Sequence, residues 1–479
     1  MPIADSELRS AASESRSAVS ESRSAVSESR SAVSESRSAV SESRSAASES
    51  RSAVSESRSA VSESRSAVSE SRSAVSESRS AVSESRSAVS ESRSAVSESR
   101  TAAAGPESEL IVPGVSDDLD PDQVRDFRVA RHHLDERVPK EQLVAAVQRL
   151  VGVQSQVASA AVKSIAVRVH GVDTRHVDEA LHETRELART WALRCTLHVV
   201  AREDYPTIAA ALGNRVGGFR RWLERSGMSE KRYQDLTRHV LEALEEGPRS
   251  RDELRTRLKH KLKGTQHLFG SWGGIMKLLA LEGRIVIGPR RAQETTFVHA
   301  ERWFGSRISL PHADEAIGAV LRRYLGAYGP ASLQDFTYWA GVTAARGRTA
   351  LQVIEKETVR VTWNGRPHLL LEKDKAALAG AKPSGKPKLL PHFDTFLMGH
   401  RDKSLILDEK HKKKVFRAAG WVSPTILERG RVIGTWETRR VGDRVEVEIA
   451  AWTRLSRSAW AALREEAELL EPGARVLRA

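Results

Sequence analysis

A seven-residue repeat occupies most of the first hundred positions of the chain. From Ser13 to Arg100 the sequence repeats SESRSAV, with Ala47 in place of one valine. A coiled coil needs two apolar positions per heptad, whereas each repeat supplies one valine with an alanine beside it. The serines compete with a helical backbone, and Glu and Arg lie two positions apart, where they do not face each other on a helix. We therefore expect residues 1–104 to form a disordered tail that builds no core.

The positive charge of the protein lies outside this repeat. The chain has 76 Lys plus Arg and 63 Asp plus Glu, of which 14 and 15 lie in the first hundred residues. The remaining 379 residues therefore hold 62 basic and 48 acidic side chains, a net charge of +14. An excess of this size in the folded part favours a polyanionic partner.

Several classes of protein are excluded by composition. A single cysteine, Cys195, rules out an intrachain disulfide scaffold and a zinc ribbon, and we expect its thiol to be packed in the core. No run of about 18 apolar residues is present, so we expect no membrane span, and the N-terminus has no apolar region typical of a secretory signal. We expect a cytoplasmic, nucleoid-associated protein with no metal and no cofactor.

Two later stretches share one plan, in which three helices are followed by a β-hairpin. In each stretch a long amphipathic helix stops at Gly-Pro, at Gly247-Pro248 and again at Gly329-Pro330, 82 residues further on. The predicted elements are helices at 229–246, from 250 and at 273–282 with strands at 284–291 and 296–299, then helices at 313–328, from 332 and from 343 with strands at 359–363 and 368–371. This order is typical of a winged helix-turn-helix.

These patterns predict an α+β fold, mostly α, with tandem winged helix-turn-helix domains, a C-terminal mixed β/α part and the disordered heptad-repeat tail in front. Thr190–Val200 alternates and is predicted to be one strand. The predicted segments are the tail 1–104, a linker 105–121, a winged-helix-like first domain 122–228, winged helices 229–311 and 312–387, and the C-terminal part 388–479.

Tandem helix-turn-helix units in a basic body indicate double-stranded DNA as the partner. Such units place one helix in the major groove, and Lys and Arg neutralise phosphates. The candidate phosphate contacts are Lys259, Lys261, Lys263, Arg290, Arg291, Lys412, Lys413 and Lys414, the last three in a cluster with Lys410 and Arg417. The alternative for any one of these clusters is a solvated surface without a partner.

The most informative short motif is Gln154-Ser155-Gln156, which follows Gly152. On a helix, residues two apart point about 200° away from each other, whereas in an extended or turn segment both amides are able to face one target. Two primary amides offer two carbonyl acceptors and four N–H donors to a water or a base edge. Signatures of other enzyme classes, such as GxSxG, GxxxxGK[ST] and HExxH, do not occur in the chain.

The motif and several others resemble the AlkZ/YcaQ family of winged-helix DNA glycosylases. The matching stretches are Gly152-Val-Gln-Ser-Gln156, Arg194-Cys-Thr-Leu-His198, Tyr328-Gly-Pro-Ala-Ser332, Trp339-Ala-Gly341, Leu390 to Arg401 and Gly430 to Trp436. The resemblance runs from about Asp122 to the C-terminus. It implies tandem winged helices around a basic channel and, for the AlkZ branch, removal of bulky alkylated purines, including crosslinked ones.

The resemblance also assigns roles to residues. The AlkZ branch has Gln, an apolar residue and Gln, whereas the YcaQ branch ends the triplet with Asp; here both glutamines match, but Ser155 is polar. The resemblance makes Gln154 and Gln156 the catalytic candidates. It places Trp191, Arg194, Thr196 and His198 near the lesion or its phosphates.

We therefore expect a monomeric, monofunctional DNA glycosylase that acts on cationic N7- or N3-alkylated purines in base excision repair. An amide cannot act as a general base near neutral pH, but a purine alkylated at N7 or N3 is already cationic, and its glycosidic bond is weakened before the enzyme acts. The alternative is a non-catalytic winged-helix DNA-binding protein, such as a transcriptional regulator. A defined operator, bound about 10³-fold more tightly than random DNA, would identify that alternative.

Overall fold

The structure is a computed structural model of the chain. It describes residues 118–213, 220, 223–224, 227–261, 269, 274–291, 294–383, 385–442 and 444–479. The predicted tail, 1–104, and nearly all of the predicted linker therefore lie outside the described residues. The described residues belong to a single structural unit.

The first described stretch combines helices with a small set of strands. Asp120 caps the first helix by accepting a hydrogen bond from the backbone N–H of Asp122, and Pro121 occupies the first helical turn, where its missing N–H costs nothing. The elements are α1 (Pro121–Arg131), α2 (Leu143–Arg149), β1 (Val153–Gln154), α3 (Ala158–Ala166), α4 (Thr174–His182), β2 (Leu187–Trp191), β3 (Leu197–Ala201) and α5 (Tyr205–Leu212).

The prediction of one continuous strand at Thr190–Val200 is wrong. The chain reverses between β2 and β3, and Trp191 pairs with Leu197 in an antiparallel hairpin. The reversal depends on Arg194 and Cys195, whose φ angles of 52° and 56° lie in the left-handed region. Residues other than glycine rarely adopt this backbone conformation, because their Cβ approaches the following carbonyl. Contacts with surrounding residues must therefore stabilise the turn.

A second stretch contains α6 (Glu230–Glu245), β4 (Arg249–Ser250), α7 (Arg251–Arg257), α8 (Gly274–Leu281), β5 (Ile285–Ile287), β6 (Thr296–His299) and α9 (Ala300–Phe304). Ser229 and Ser250 cap the first two of these helices, and Glu253 completes a capping box with Ser250. The strands β1 to β6 form one six-stranded sheet in the order β1-β3-β2-β5-β6-β4. Strands from 122–228 and from 229–311 therefore share a sheet.

A third stretch repeats this element order. It contains α10 (Ala313–Tyr328), α11 (Leu333–Ala340), α12 (Ala344–Ile354), β7 (Thr358–Trp363), β8 (Arg366–Leu371) and α13 (Lys375–Ala379). Ser332 and Thr343 cap α11 and α12 with their hydroxyls. The predicted order of three helices followed by a hairpin is confirmed in both stretches, where β5 pairs with β6 and β7 pairs with β8. Each hydroxyl cap lies at a predicted helix start.

The C-terminal part is a five-stranded sheet with a closing helix. It contains β9 (Lys388–Leu390), α14 (Thr395–Met398), α15 (Lys412–Val415), β10 (Thr425–Glu428), β11 (Arg431–Val441), β12 (Arg444–Ala451), α16 (Arg457–Leu470) and β13 (Arg475–Arg478). The strand order is β13-β12-β11-β10-β9. Helix α16 packs across this sheet through Leu463, Ala467 and Leu470. The predicted mixed β/α part is confirmed, and the fold as a whole is mixed α and β.

A buried ion pair connects the first stretch to the C-terminal part. The guanidinium of Arg168 binds Asp394 with two bonds, of 2.8 Å to Oδ2 and 2.7 Å to Oδ1, and both side chains are 0% exposed. Ser164, on α3, donates a third hydrogen bond of 2.7 Å to Asp394. Among the described helices, none is long and apolar enough to cross a membrane.

Candidate active site

The glutamine motif begins at a glycine that the packing requires. Gly152 has φ of +102°, and a Cβ placed on it would lie 2.9 Å from Val200 Cγ1 and 3.2 Å from the carbonyl oxygen of Val199. Glycine alone combines this backbone conformation with so close an approach to β3. The chain then runs extended as β1, in which Gln154 pairs with His198. The chain is thus extended through Gln154, and it bends at Gln156 before α3 begins at Ala158.

Gln154 is buried, and its side-chain amide is fixed by a hydrogen bond within the protein. Its side chain lies on the same sheet face as that of His198, and the residue is 5% exposed. The carbonyl oxygen Oε1 accepts a 3.0 Å hydrogen bond from Nη2 of Arg194. The other terminal nitrogen, Nη1, donates to the backbone oxygen of Trp339, at 2.6 Å, on α11. Arg194 therefore connects the first glutamine to the third stretch of the fold.

Gln156 is the exposed member of the pair. Its Oε1 accepts a hydrogen bond of 3.3 Å from the backbone N–H of Leu197. An amide oxygen carries two lone pairs, so each glutamine oxygen has one intraprotein donor and retains a second position for another donor or a positive charge. The two amides thus differ in exposure but share this fixed orientation of the carbonyl group.

The turn between β2 and β3 brings most of the weaker candidates to the motif. Thr196 donates its hydroxyl to the backbone oxygen of Leu193, which closes the turn around Arg194. His198 is buried and donates Nδ1–H to the carbonyl of Thr196 at 3.0 Å. Burial, followed by the positive charge of Arg194, lowers the pKa of His198 to about 3. His198 is therefore neutral at physiological pH and does not act as a general acid there.

Trp191 lies on the opposite side of the hairpin from Gln154. It pairs with Leu197, and its ring stacks on Phe297 of β6 with 6.2 Å between centroids. Its half-buried side chain packs against the core of the second stretch. Cys195, which was expected in the core, is half-buried and packs against the same cluster.

Sequence reasoning missed Arg189, which contacts the residue between the two glutamines. Ser155 is 1% exposed, and its backbone N–H donates to the Leu197 carbonyl at 2.7 Å. Arg189 donates from Nε to the Ser155 hydroxyl oxygen at 3.2 Å and from Nη2 to the Ser155 carbonyl at 2.9 Å. The only signal in the sequence was the polar Ser155 itself, because a buried hydroxyl requires a partner.

A cavity of about 470 Å³ opens directly after the motif. Val157 and Ser159, at the start of α3, line it, and its charged lining residues are Lys163, Lys414, Arg417, Glu437 and Glu448. Lys163 pairs with Glu471, and the ammonium of Lys414 lies 5.7 Å from the centre of the Trp452 ring. Of the predicted lysine cluster, Lys414 therefore shares a cavity with residues next to Gln156. Lys413 is exposed on the same short helix, α15, and Lys412 pairs with Glu409 at 3.1 Å.

The other predicted phosphate contacts lie on the second stretch. Lys259 is exposed, Lys261 contacts the ring of His239 at 3.2 Å, and Lys263 lies outside the described residues. Arg290 and Arg291 are exposed after β5; Arg291 pairs with Glu253 at 2.8 Å. The positive charge of Arg290 acts on Arg189, so this arginine lies near the motif. No contact joins Lys259, Lys261 or Arg291 to the glutamines in the described part of the chain.

Within the described ranges, no group of three or more His, Cys, Asp or Glu side chains is arranged to hold a metal ion. The side chains around the motif are amides, hydroxyls, arginines and the neutral imidazole of His198. Such groups position water, phosphate and polar edges of bases rather than transfer protons.

Comparison with known proteins agrees with this geometry. The family model "DNA glycosylase AlkZ-like" matches residues 147–472, which include the motif, the turn at Arg194 and the C-terminal sheet. The chain belongs to the AlkZ-like DNA glycosylase family. The resemblance inferred from the motifs is thereby confirmed.

A curated protein and a solved structure, both from Streptomyces sahachiroi, agree with the AlkZ-like assignment. The "Interstrand DNA cross-link repair glycosylase" of Streptomyces sahachiroi is 33% identical over 326 residues, which cover 66% of this chain and 87% of the relative. The solved structure "Streptomyces sahachiroi DNA glycosylase AlkZ" superposes with a TM-score of 0.67 at 29% identity, covering 76% of this chain and 100% of that one. The mixed α and β architecture is therefore shared with a solved member of the AlkZ-like family.

Proposed function

We propose that this protein is a monofunctional DNA glycosylase that removes cationic alkylated purines, including purines joined in interstrand crosslinks. The observation that carries the proposal is the pair of glutamine carbonyls, each of which accepts a hydrogen bond from the β2–β3 hairpin. They precede a cavity whose lining includes Lys163, Lys414 and Arg417 together with Glu437 and Glu448. Membership of the AlkZ-like family and the crosslink-repair name of the S. sahachiroi relative support it.

The chemistry that these residues support is hydrolysis of a bond that is already weak. A purine alkylated at N7 or N3 carries a positive charge, so the electron pair of the breaking N-glycosidic bond neutralises the departing base. A water molecule adds to C1′ of the deoxyribose and releases its proton to solvent. The protein then needs to orient the water and to stabilise the positive charge that develops on the sugar. Normal, neutral bases should be poor substrates.

We assign the two amides different parts of this task. Gln156 is exposed, and the free lone pair of its oxygen is suited to the developing sugar cation or to the water. Gln154 is nearly buried, and the guanidinium of Arg194 lies against its oxygen. Because a neighbouring positive charge opposes accumulation of another cation, we assign Gln154 to orienting the water through its amide.

We infer that residues 229–311 and 312–387 are winged helices and that a basic surface carries the DNA backbone past the motif. Lys414 and Arg417, in the cavity next to Val157, are the best-placed phosphate contacts. Arg290 lies close enough to Arg189 for its charge to lower the pKa of Arg189, and it is a second candidate phosphate contact. Lys259 and Lys261, which have no contact with the motif, would serve DNA flanking the lesion.

The test measures base release under single-turnover conditions. Wild-type protein is mixed with a duplex that carries one N7-methylguanine, and abasic sites are quantified by alkaline cleavage. Changing Gln154 or Gln156 to alanine should slow excision by about 10–10³-fold, the range for loss of a positioned dipole. Affinity for the duplex should barely change, because phosphate contacts dominate binding. Gln234→Ala, which removes an exposed glutamine of α6, is the matched control and should excise at the wild-type rate.

Two further results bear on the mechanism and on the alternative. Borohydride should not trap the protein on DNA, because a water-mediated reaction forms no Schiff base with a lysine. Wild-type protein that binds alkylated duplex but releases no base would contradict the proposal. The alternative interpretation, a non-catalytic DNA-binding protein, would then be favoured.

A further inference from the structure

The residue between the two glutamines is fixed at every polar atom. The backbone N–H of Ser155 donates to the Leu197 carbonyl, its carbonyl accepts from Nη2 of Arg189, and its hydroxyl oxygen accepts from Nε of Arg189. At 1% exposure Ser155 has almost no access to water that would replace these partners. Loss of Arg189 would therefore leave a buried carbonyl and a buried hydroxyl without their donor.

Arg189 itself is anchored where two parts of the sheet meet. It lies in the middle of β2, and its backbone pairs with Ile287 of β5, the residue pair that joins these two strands. Burial and the charge of Arg290 lower the pKa of Arg189, and no carboxylate forms an ion pair with it in the described ranges. A half-buried arginine without an acidic partner thus directs two of its donors at a single residue, Ser155. The rigid planar fork of the guanidinium makes such a two-point contact directional.

We propose that Arg189 is a positioning residue for the glutamine pair and that it acts through Ser155. In the AlkZ-branch pattern that the motif resembles, this position is apolar and would be held by packing. This chain holds the backbone at Ser155 by hydrogen bonds. The inference rests on the proposed function. It accounts for the polar residue in the motif, because Ser155 and Arg189 form one unit in which neither side chain is satisfied without the other.

Ser155 connects Arg189 to both catalytic candidates, so loss of the Arg189 contact should affect the reaction. Ser155 is directly bonded to Gln154 and Gln156, so a shift of its peptide planes moves both carbonyl oxygens. A displacement of about 1 Å at a reacting centre costs on the order of 10²-fold in rate. Arg189 does not need to touch DNA to produce this effect, and its removal should lower the rate of the chemical step while leaving binding intact.

The first experiment separates positioning from phosphate binding. Arg189→Lys keeps the positive charge but loses the planar fork, whereas Arg189→Met keeps only the apolar stem. Positioning predicts that both variants excise N7-methylguanine about 10–10²-fold more slowly in single turnover. The dissociation constant for the undamaged duplex should stay within about 2-fold, and the slope of log affinity against log salt should stay unchanged. If Arg189 instead binds a phosphate, Arg189→Lys excises normally and Arg189→Met loses affinity and about 0.9 of the slope, which would overturn the proposal.

The second experiment tests whether Arg189 acts through Ser155. Ser155→Val supplies an apolar side chain without a hydroxyl. The rate loss caused by Arg189→Met should be several-fold smaller in the Ser155→Val background than in the wild-type background, because part of the contact is already absent there. Equal losses in the two backgrounds would refute action through the Ser155 hydroxyl. Arg202→Lys is the matched control, since Arg202 is a half-buried arginine that donates to a backbone carbonyl, that of Phe304, away from the motif.

A binding measurement keeps this inference separate from the proposed function. Duplexes carrying a cationic pyrrolidine abasic analogue and a neutral tetrahydrofuran analogue are compared. Oriented carbonyl dipoles should favour the cationic ring, and Arg189→Lys should reduce that preference by about 10-fold or more. If wild-type protein releases no base yet shows a preference that Arg189→Lys removes, the proposed function fails and the positioning role stands. A preference unaffected by Arg189→Lys, or absent from the wild type, would overturn the positioning role. Melting temperatures of all variants report folding.

Discussion

Changing Asp394 to asparagine should destabilise the protein strongly. The carboxylate of Asp394 is fully buried and accepts two hydrogen bonds from Arg168, one from the Ser164 hydroxyl and one from the backbone N–H of Phe396. Asparagine has nearly the same shape but no charge. The variant would therefore leave the guanidinium of Arg168 buried and uncompensated, a situation that costs about 3–5 kcal/mol.

The expected change in melting temperature follows from the size of the folded part. At about 2.1 cal/mol/K per residue, the roughly 360 residues from 118 to 479 have an unfolding entropy near 0.76 kcal/mol/K. A loss of about 3–5 kcal/mol then lowers the melting temperature by about 4–7 °C. Scanning calorimetry of the full chain measures this shift.

Glu409→Gln is the matched control for the charge change. The Glu409 side chain is 83% exposed and pairs with Lys412 on the surface, where such pairs contribute about 0–1 kcal/mol. This variant should melt within about 1.5 °C of wild type. Replacing both buried partners, with Arg168→Met and Asp394→Leu, should recover much of the loss, because no charge is then left buried. If Asp394→Asn melts as the control does, the buried pair does not hold α3 to the C-terminal part.

Three further predictions concern the tail, the lysine cluster and pH. Deleting residues 1–104 should leave the melting temperature and DNA affinity unchanged; a stable helical oligomer of the isolated tail in circular dichroism would contradict the interpretation of its heptads. Changing Lys412, Lys413 and Lys414 together to glutamate should weaken binding to all DNA sequences, and each lost phosphate contact should lower the salt slope by about 0.9; an unchanged slope would show that the cluster faces away from DNA. Burial lowers the pKa of Lys403 to about 7, below its value in the unfolded chain. The unfolded state therefore binds more protons than the folded state between about pH 7 and pH 10, so the free energy of unfolding should rise with pH in this window and be independent of Lys403 below it. Lys403→Met should abolish this rise. If the wild type and Lys403→Met show the same dependence of melting temperature on pH, the prediction is wrong.

Local sequence patterns were sufficient for the order of helices and hairpins in residues 229–311 and 312–387. The helix at Ala313–Tyr328 and the hydroxyl caps at Ser332 and Thr343 were predictable because periodicity and capping involve residues within a few positions of one another. The spacing of the two glutamines, by contrast, is compatible with a helix, a turn or an extended segment, so the backbone of the motif was not predictable from it. The motifs that carry the family resemblance are also short and local.

The reversal at Arg194 shows where local patterns fail. Apolar and polar residues alternate from Leu193 to Val199, directly across the turn, so nothing local distinguishes one long strand from two short ones. The two left-handed residues at the turn are stable because Arg194 binds Gln154 and the backbone of Trp339, 40 and 145 positions away in sequence. Those contacts exist only after the first and third stretches have packed together.

The sequence by itself determined that the repeat lacks two apolar positions per heptad, that the remaining chain is basic, and that two primary amides stand two residues apart after Gly152. Only the tertiary structure decided which partners fix those amides: Arg194 for Gln154, Leu197 for Gln156 and Arg189 for the serine between them. The physical reason is that a hydrogen bond depends on distances of a few tenths of an ångström. Such distances are set by packing between strands and helices far apart in the chain, and no local pattern of residues encodes them.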